Sequence, residues 1–562
     1  MNCSIRFKLT TVALLVGSAM NANAALYKVV EVDPSANGSN SAYSDAYGVA
    51  IQAGDVASPK GCFGIACDDN QFKLAFETRV GVDGVSYREE LPFAMDASFG
   101  YIQEYEDFER YCYNELRYST CDSWAWIWWS SWSRELNGNT SSNALAYVEG
   151  NPSSYPNEMN NVINSLNESA QPVGNQSVAG LTRNKVVAPV SPVEVDSFYQ
   201  SRAWKTDGTY TVGSVSSKAV NDNGTYYTSK AAIWDASGVV KALDWPQGVD
   251  RDGQRLAQGS MRDVVVDDKG DTDPANDLIY GVGYNTYIDD NYINASIFVG
   301  TLDAGGTFKD SAWKTVPIDG AQMKISGDII HSNSVVTNVN SNFIAVGEAK
   351  RAGDKPSEGS AVNRLFLVKD VRAESVSATF LPQLGGIFFS GAGGKMGGIN
   401  NYNEIVGQLD AEDTREIDGK PRRKRAFILP YYDEKTSTPT PERRAIFNNK
   451  AWYLDDLTNG SNAPVENNQY RIIDATDIND AGVISATAIK CEGGYDTTAH
   501  NSYCGEGSQE EKVVAVKLIP IANADANDIE KRPVEKASAE RKGAGLGWLS
   551  LTLLVLFGFR RK

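Results

Sequence analysis

Histidine is almost absent from this chain, which has two in 562 residues, His331 and His500. A histidine general base or an imidazole zinc site would therefore have to use one of these two side chains. The sequence also contains no H-E-x-x-H and no G-x-S-x-G, and residues 393–396 place Met where a phosphate loop needs Ser or Thr. We therefore expect both histidines in surface or turn positions. The motifs of zinc proteases, serine hydrolases and P-loop enzymes are missing.

Positive charge is also in short supply. The chain has 53 Lys and Arg against 71 Asp and Glu, which gives a formal net charge of -18. Such a surface repels phosphate backbones and anionic headgroups, so nucleic acid is excluded as a partner.

The chain is too long to fold around one hydrophobic core of the usual size, so its length predicts several domains or a repeat architecture. Short apolar runs between Gly- and Asn-rich turns favour strands over helices.

Cysteine is sparse, with 7 residues and no C-x-x-C pair. Cys3 lies close to the first residue, and the other six form three near-neighbour pairs: Cys62 with Cys67, Cys112 with Cys121, and Cys491 with Cys504. The even number and short separations predict local disulfides formed in an oxidising compartment. Metal binding is the alternative, but it lacks the histidines that usually complete such sites.

The two termini carry targeting features. Residues 1–24 combine a basic start, a short apolar stretch and an A-x-A pattern at Ala22 and Ala24, which predicts a secretory signal peptide. Residues 543–562 combine small residues, including Gly543 and Gly545, with an apolar run and the basic end Arg560-Arg561-Lys562. This order predicts a transmembrane tail whose basic end lies in the cytoplasm. Residues 522–542, rich in Ala, Asp, Glu and Lys, predict a flexible linker before it.

The tail also resembles the Gly-Gly-type C-terminal sorting signals of Gram-negative bacteria, although Ala544 separates its glycines. The resemblance implies removal of the tail by a rhomboid-like intramembrane protease, with secretion and tail-processing machinery as partners. A permanent membrane anchor is the alternative. Either one predicts a location at the cell envelope or cell surface, or outside the cell after processing.

An internal repeat organises the rest of the chain. Each copy has an apolar residue, Asn or Asp, a turn with Gly or Asn, and then a β run; the copies are residues 51–56, 220–224, 266–270, 339–342, 399–407 and 478–484. Asn-Asp and Asn-Gly suit tight hairpin turns, and the flanking β-branched residues suit strands. A small sheet cannot bury its own apolar face, so we expect the units to stack on one another.

The motif resembles extracellular repeats named for a His-Ala-Phe tripeptide, whose core is Ile-Asn-Asp-x-Gly-x-Val-Val-Gly; residues 425–427, Arg-Ala-Phe, are similar to the tripeptide. The whole chain resembles an uncharacterised exported proteobacterial family, domain of unknown function 3466, which implies no activity. The fold class is therefore mostly β, a propeller-like array of small antiparallel sheets with a helical, Trp-rich insertion. Residues 25–84 form a first β unit and residues 177–521 the β repeats.

Residues 85–176 interrupt the repeats. A helical pattern around residues 101–117 is followed by five tryptophans, and a polar stretch over 137–175 predicts long loops. The five are Trp124, Trp126, Trp128, Trp129 and Trp132. Such a cluster covers one end of the β body or, alternatively, binds a glycan, a peptide or a partner protein. Membrane contact is a third alternative, disfavoured by the acids on both sides.

Two charged runs complete the candidate sites. Asp267, Asp268, Asp271, Asp273 and Asp277 lie on one Gly- and Pro-containing loop and could supply oxygen ligands to calcium, although the EF-hand spacing is missing. A solvated acidic loop is the alternative, and no other cofactor is expected. The basic run 422–425 predicts the start of a strand that pairs with nearby carboxylates.

Together these features predict an exported cell-envelope or surface protein with a binding or structural role and no catalysis. Two alternatives stay open: a secreted hydrolase that cuts glycans with paired carboxylates, and an adhesin that uses the tryptophan cluster. A hydrolase requires two carboxyl groups about 5–10 Å apart in a cleft, with perturbed pKa values. A binding protein requires an exposed aromatic surface instead.

Overall fold

Small antiparallel sheets make up most of the folded chain in a computed structural model. The structure describes residues 25–33, 45–79, 105–113, 119–136, 145–150, 161–178, 181–187, 198, 200–222, 224–252, 255–268, 274–287, 292–308, 313–322, 324–325, 328–329, 334–350, 358–360, 363–416, 422–433, 441–460 and 463–535.

Thirty strands lie within these ranges. In chain order they are β1 (Tyr27–Glu31), β2 (Asp45–Ile51), β3 (Leu74–Arg79), β4 (Leu145–Val148), β5 (Asn161–Leu166), β6 (Pro172–Val178), β7 (Leu181–Val187), β8 (Gln200–Thr206), β9 (Thr211–Asn221), β10 (Gly224–Trp234), β11 (Val240–Ala242), β12 (Arg251–Asp252), β13 (Arg255–Leu256), β14 (Ser260–Asp267), β15 (Leu278–Tyr287), β16 (Tyr292–Thr301), β17 (Lys314–Pro317), β18 (Lys324–Ile325), β19 (Asp328–Ile329), β20 (Ser334–Val339), β21 (Ala345–Ala349), β22 (Arg364–Val368), β23 (Thr379–Phe380), β24 (Gly394–Ile399), β25 (Glu404–Asp410), β26 (Lys424–Pro430), β27 (Trp452–Tyr453), β28 (Tyr470–Ile478), β29 (Ile484–Cys491) and β30 (Glu511–Pro520).

Seven of the sheets in the described part have three or four strands, and we call them blades 1 to 7. Blades 1 to 6 are β2–β4, β5–β7, β8–β11, β14–β17, β20–β23 and β24–β27, and blade 7 contains β28, β29, β30 and β1. The inner strand of each blade contacts the inner strand of the next, and β28 of blade 7 contacts β2 of blade 1. The predicted propeller-like fold is therefore confirmed, as a ring of blades.

The ring is closed by the two ends of the body. Strand β1 pairs with β30 in antiparallel register, from Tyr27 opposite Pro520 to Glu31 opposite Val516. The first strand thus belongs to the last blade, whereas the sequence places it in a separate first unit, because the pairing joins residues almost 500 positions apart and leaves no local signal. Apolar clusters between adjacent blades fill the body, and the largest lies at this closure.

Every inner strand carries a β-bulge. A bulge leaves one residue unpaired, bends its strand and increases the local twist. In the inner strand of blade 6, for example, the register shifts between Met396 and Gly398, so Gly397 is the bulged residue. Because the inner strand of all seven blades carries a bulge, the blades share one structural unit although their sequences differ.

The Asn motif forms the turn between the first two strands of a blade. In blade 6, Asn400 Oδ1 accepts the backbone N–H groups of Tyr402 and Glu404, both at 3.0 Å. The residue three positions after each motif Asn has a positive φ: 62° at Phe343, 60° at Asn403 and 87° at Gly482. This left-handed conformation favours the Asn and Gly found at two of the three places, and Phe343 adopts it at the third.

The same asparagines also join the blades to one another. Asn340 Nδ2 donates to the carbonyl of Asn400 at 2.9 Å, Asn400 Nδ2 to that of Asn479 at 3.0 Å, and Asn479 Nδ2 to that of Gln52 at 3.0 Å. This chain of bonds, the Asn ladder, runs from blade 5 through blades 6 and 7 to blade 1. The motif thus shapes a turn with its oxygen and holds the next blade with its nitrogen.

We expect Asn400→Asp to lower the free energy of unfolding by about 1–3 kcal/mol, because the substituted side chain cannot donate to Asn479 and lies against Glu404. Aspartate keeps the oxygen that caps the turn. If urea denaturation found Asn400→Asp as stable as the natural protein, the capping would be the whole role of this residue and the ladder would contribute nothing.

A second part of the repeat concerns Gly and Phe. Gly407 of β25 pairs with Phe427 of β26, and a Cβ added at Gly407 would lie 2.9 Å from the Phe427 ring. Blade 5 has the same arrangement at Gly347 and Phe366, where the added atom would lie 2.6 Å from the ring. The Gly and the Phe that face each other on these neighbouring strands are therefore complementary halves of one packing contact, since the ring needs the space that a side chain would take.

Four α-helices lie in the described residues: α1 (Tyr105–Tyr111), α2 (Asp122–Leu136), α3 (Pro441–Ile446) and α4 (Leu454–Leu457). The first two form a hairpin inserted between β3 and β4 of blade 1, which agrees with the helical insertion expected from the sequence. The predicted long loops over residues 137–175 also contain strands β4 and β5 and the start of β6. β4 has only four residues, and β5, Asn-Val-Ile-Asn-Ser-Leu, lacks the strict apolar–polar alternation that reveals a strand.

All three predicted disulfides are present: Cys62–Cys67, Cys112–Cys121 and Cys491–Cys504, with Cα–Cα distances of 5.5, 5.8 and 5.6 Å. They indicate an oxidising environment. Within the described ranges, no helix combines the length and apolar character needed to cross a bilayer. Residues 1–24 and 543–562, which carry the predicted signal peptide and tail, lie outside those ranges, and so do Ala22, Ala24, Gly543 and Gly545.

Candidate functional site

The inserted hairpin carries an exposed aromatic surface. Trp126 on α2 is 56% exposed, and its ring centroid lies 6.5 Å from that of Tyr105 on α1. Tyr113, just after α1, is 41% exposed. Among the large apolar side chains described as exposed, Trp126 is the single tryptophan. We call Tyr105, Tyr113 and Trp126 the aromatic platform.

The other predicted tryptophans divide into two groups. Trp124 and Trp129 are half-buried and have contacts of their own. Trp128 and Trp132 lie on α2, but their side chains fall outside the described part of the structure. Trp124, Trp126 and Trp129 differ in exposure because successive positions on a helix point in different directions.

The hairpin is held in several places. The Cys112–Cys121 disulfide joins the end of α1 to the residue before α2, and Tyr105 donates a hydrogen bond to the carbonyl of Asp122 at 3.2 Å. Phe108 of α1 and Ala125 of α2 are buried, the two helices contact each other, and α2 contacts β7 of blade 2. The platform is thus carried by a stapled element that bridges two blades.

Carboxylates border the platform. A side-chain hydrogen bond with Asp122 raises the pKa of half-buried Glu109, and burial, with Asp122 and Glu109 nearby, raises the pKa of Tyr105. Glu106 lies on the same helix and contributes to both shifts. Hydrogen-bond acceptors therefore stand beside the exposed rings, and the local charge is negative.

A second polar region lies where the inner strands meet around the axis of the ring. It takes one residue from each inner strand, the first after a bulge and, in β28 with its two bulges, the first after the second. We call this set the axial ring: Ala50, Ser165, Lys205, Asp263, Asn338, Gly398 and Asp477. Ser165 Oγ donates to the Trp204 carbonyl at 3.0 Å, and Lys205 Nζ to Asp263 Oδ2 at 2.8 Å. The polar members of the axial ring therefore bond to the neighbouring inner strand.

The two axial carboxylates, Asp263 and Asp477, have matching partners. Asp263 accepts the backbone N–H groups of Val264 and Val339, and Asp477 those of Ile478 and Ile51. Burial raises the pKa of Asp477 to about 6, against the opposing charge of Lys205. Each carboxylate therefore fastens two inner strands, a role that the sequence did not reveal because the partners are backbone groups of another blade.

The predicted calcium loop is described in part. Asp267 ends β14, Asp268 is exposed and Asp277 is buried, whereas Asp271 and Asp273 lie outside the described residues. Over the described ranges, no group of three or more Asp, Glu, His or Cys side chains is arranged to hold a metal ion. Calcium binding by this loop stays a prediction.

The basic run pairs with acids, as expected. Arg422 contacts Asp410 at 3.2 Å with both side chains buried, Lys424 bonds the same carboxylate, and Arg425 contacts Asp455 at 3.0 Å. His500 lies in a turn, one of the two positions expected for it, but it is buried there: it is 9% exposed and its Nε2 lies 3.0 Å from Asp456 Oδ1. His331 lies outside the described residues.

A sequence model of proteins of unknown function (DUF3466) matches residues 271–562. No curated protein matches the chain. Among solved structures the chain is similar to the catalytic domain of a Coprinopsis cinerea GH62 alpha-L-arabinofuranosidase, at 12% identity and TM-score 0.21, covering 60% of this chain and 96% of the other. It is also similar to a Bombyx mori GH32 beta-fructofuranosidase in complex with sucrose, at 8% identity and TM-score 0.23, covering 62% and 83%. Scores this low support no argument about activity. The matched residues make up more than half of the chain, so the chain belongs to this family of proteins of unknown function, DUF3466.

Proposed function

We propose that this protein is an exported, non-catalytic binding protein of the cell envelope that recognises a neutral glycan through the aromatic platform. The observation that carries the proposal is the exposure of Trp126 on a helix otherwise anchored by buried residues. Leaving a large ring in water forgoes about 1.5–3 kcal/mol of burial free energy, so an exposed ring on a fixed support is a common mark of a binding surface.

The chemistry of the platform favours sugars. The face of an indole or phenol ring packs against the C–H groups of a pyranose, and Glu106, Glu109 and Asp122 offer acceptors for its hydroxyl groups. The same carboxylates and the overall charge of -18 repel acidic polymers and anionic lipids. A neutral polysaccharide is therefore the ligand that fits both the rings and the charge.

The hydrolase alternative receives less support. Of the buried carboxylates near the axis, Asp263 and Asp477 each accept two backbone N–H groups, so their oxygens already hold strands together. A catalytic pair must instead reach the glycosidic bond from two sides. Burial between two inner strands raises the pKa of Asp477. A carboxylate that only holds these strands together would show the same shift, so the shift does not indicate catalysis.

Replacing the exposed ring tests the proposal. We expect Trp126→Ala to weaken binding of a neutral polysaccharide by about thirtyfold, which corresponds to the roughly 2 kcal/mol lost when a central aromatic residue of an interface is truncated. A panel of neutral and acidic polysaccharides, measured by titration calorimetry against the natural protein, identifies the ligand, and the variant is then measured with that ligand.

The matched control is Val465→Ala, which removes an apolar side chain that is 86% exposed in another part of the chain. Binding by this control should be unchanged. Equal affinity of Trp126→Ala and the natural protein for every bound glycan would refute the role of the platform. Release of reducing sugar during the titration would favour the hydrolase instead.

A further inference from the structure

The connection between β2 and β3 of blade 1 is much longer than the corresponding connections of blades 5, 6 and 7. It covers residues 52–73, whereas blade 6 passes from β24 to β25 over residues 400–403. Its middle part, residues 60–67, contains a short 3-10 helix, Gly61–Phe63, whose three residues are buried, and the Cys62–Cys67 disulfide. We call residues 60–67 the clasp, because they reach the two neighbouring blades on the other side of the ring closure.

The clasp contacts blade 7 through its backbone. Cys62 N–H donates to the Ala481 carbonyl at 2.9 Å, in the turn between β28 and β29. A Cβ added at Gly61, where φ is 58°, would lie 2.6 Å from the same carbonyl oxygen and 2.5 Å from Arg443 Nη1. Because Gly61 has no side chain, the clasp can approach both the turn of blade 7 and the arginine of α3 in blade 6.

Phe63 places the clasp in the core of the closure. It is 1% exposed, and its ring centroid lies 5.4 Å from that of Tyr27 on β1 and 5.7 Å from that of Phe447, just after α3. Both contacts are edge to face, a geometry that adds to the free energy gained from burial. One ring of blade 1 therefore joins the strand that closes blade 7 to a residue of blade 6.

The C-terminal part of the described chain rests on the same loop. Asn523 N–H donates to the Phe63 carbonyl at 2.8 Å, and Ala524 beside it is buried. Further along, Arg532 is 2% exposed and donates from its backbone N–H to Asp456 Oδ1 at 2.9 Å. Residues 522–535, for which the sequence predicts a flexible linker, therefore pack on the body because some of their side chains find buried positions.

The Cys62–Cys67 disulfide restricts this loop. Cys62 is 0% and Cys67 6% exposed, and both pack with apolar residues of blades 1 and 7. A disulfide stabilises the closed form mainly by limiting the conformational entropy that the loop gains when it opens. If the clasp left blades 6 and 7, the bond would still hold the ends of this short loop together, so opening is less favourable than it would be for a reduced loop.

We propose that the clasp is a redox-sensitive lock of the ring, which holds blades 6, 7 and 1 together while the Cys62–Cys67 bond is intact and loosens when the bond is reduced to two thiols. Formation of the bond removes two protons and two electrons from the thiols. A donor disulfide takes both by thiol–disulfide exchange and becomes a dithiol. The lock is independent of the aromatic platform and of its ligand.

Burial of both cysteines sets the order of these events. An exchange partner must reach one of the sulfur atoms, and the closed ring covers both. The bond must therefore form before the clasp docks or while the clasp is transiently open. For an exported chain, firm closing of the ring would follow export, since the cytoplasm keeps thiols reduced.

Hydrogen exchange of the full chain, with and without the phosphine reductant TCEP, measures the lock. In the chain-entropy account, a bond across a loop of about five residues lowers the opening equilibrium by roughly thirtyfold. We therefore expect reduction to lower the protection of the Cys62 and Asn523 amides, which donate across the clasp contacts, by roughly thirtyfold. Protection of β1 and β30 should fall in the same direction, while blades 3 and 4, on the far side of the ring, should change little.

Two cysteine variants assign the effect to one bond. Cys62→Ala with Cys67→Ala should show the lowered protection of β1 and β30 without reductant, and TCEP should lower it no further. Cys112→Ala with Cys121→Ala removes the bond of the helical hairpin, so it should match the natural protein at the closure and keep the response to TCEP. A closure that still responds to TCEP after loss of Cys62 and Cys67 would assign the effect to Cys491–Cys504 and overturn the proposal.

Phe63→Ala tests the clasp with its disulfide intact. It removes the ring between Tyr27 and Phe447, so it should lower the protection of β1 and β30 more than that of blades 3 and 4. The matched control is Phe388→Ala, which removes an equally buried ring that contacts Phe427 of blade 6 and should not affect β1 and β30 first. Unchanged protection of β1 and β30 in Phe63→Ala, an equal loss in all seven blades on reduction, or no loss on reduction would each overturn the proposal.

Discussion

We expect Arg443→Met to destabilise the protein by about 3–5 kcal/mol, the usual cost of leaving one member of a buried ion pair without its partner. Arg443 of α3 donates from Nε and Nη2 to the two carboxylate oxygens of Glu404, at 2.8 and 2.7 Å. Both side chains are 1% exposed, so water cannot replace the lost charge.

The pair joins blade 6 to blade 7. Arg443 Nη1 also donates to the Asp480 carbonyl at 2.8 Å in the turn of blade 7, and Glu404 Oε2 accepts Asn400 Nδ2 at 2.7 Å. The methionine side chain would fill much of the space but leave the Glu404 carboxylate uncompensated among apolar groups. The loss therefore arises from charge more than from packing.

A double variant distinguishes these causes. Arg443→Met combined with Glu404→Gln removes the uncompensated charge while keeping an oxygen that can accept from Asn400. We expect it to be more stable than Arg443→Met alone by at least 1 kcal/mol, measured from urea midpoints at an unchanged denaturant slope. If the double variant were as unstable as the single one, the lost packing of the arginine would be the main term.

The repeat motif allowed the sequence to predict small stacked sheets because turns are set by neighbouring residues. Asn400 and Asn479 carry the pattern and occupy the predicted turns. Two equivalent turns do not match the sequence motif. Asn167 caps the turn of blade 2, where Ala170, at φ 58°, stands in place of Gly, and Asp207 caps the turn of blade 3. Conversely, residues 220–224 match the motif but belong to the hairpin between β9 and β10, one strand further along its blade.

Features that depend on distant parts of the chain were not predictable. His500 is polar and stands among turn residues, so nothing local indicates that α4 supplies two carboxylates to it. The axial ring is similar, since Lys205 and Asp263 meet only because their bulges occupy equivalent places in successive blades. The disulfides were predictable because their partners are close in sequence and their chemistry depends on the compartment.

We expect Tyr27→Ala to destabilise the ring by about 3–5 kcal/mol, since it removes a buried aromatic side chain. Tyr27 is fully buried at the start of β1, opposite Pro520 of β30, and its ring lies 5.4 Å from that of Phe63 in an edge-to-face contact. Because β1 is the strand that closes blade 7, the cavity would weaken the junction between the two ends of the body.

The matched control is Tyr27→Phe. The hydroxyl of Tyr27 is buried and has no hydrogen-bond partner among the described residues, so its removal should leave stability unchanged or slightly raise it. Hydrogen exchange of the alanine variant should show lost protection first in β1 and β30, before the other blades, because a ring opens where its ends meet. Uniform loss of protection around all seven blades would contradict this account, since it would mean that the pairing of β1 with β30 is no weaker than the contacts within the rest of the ring.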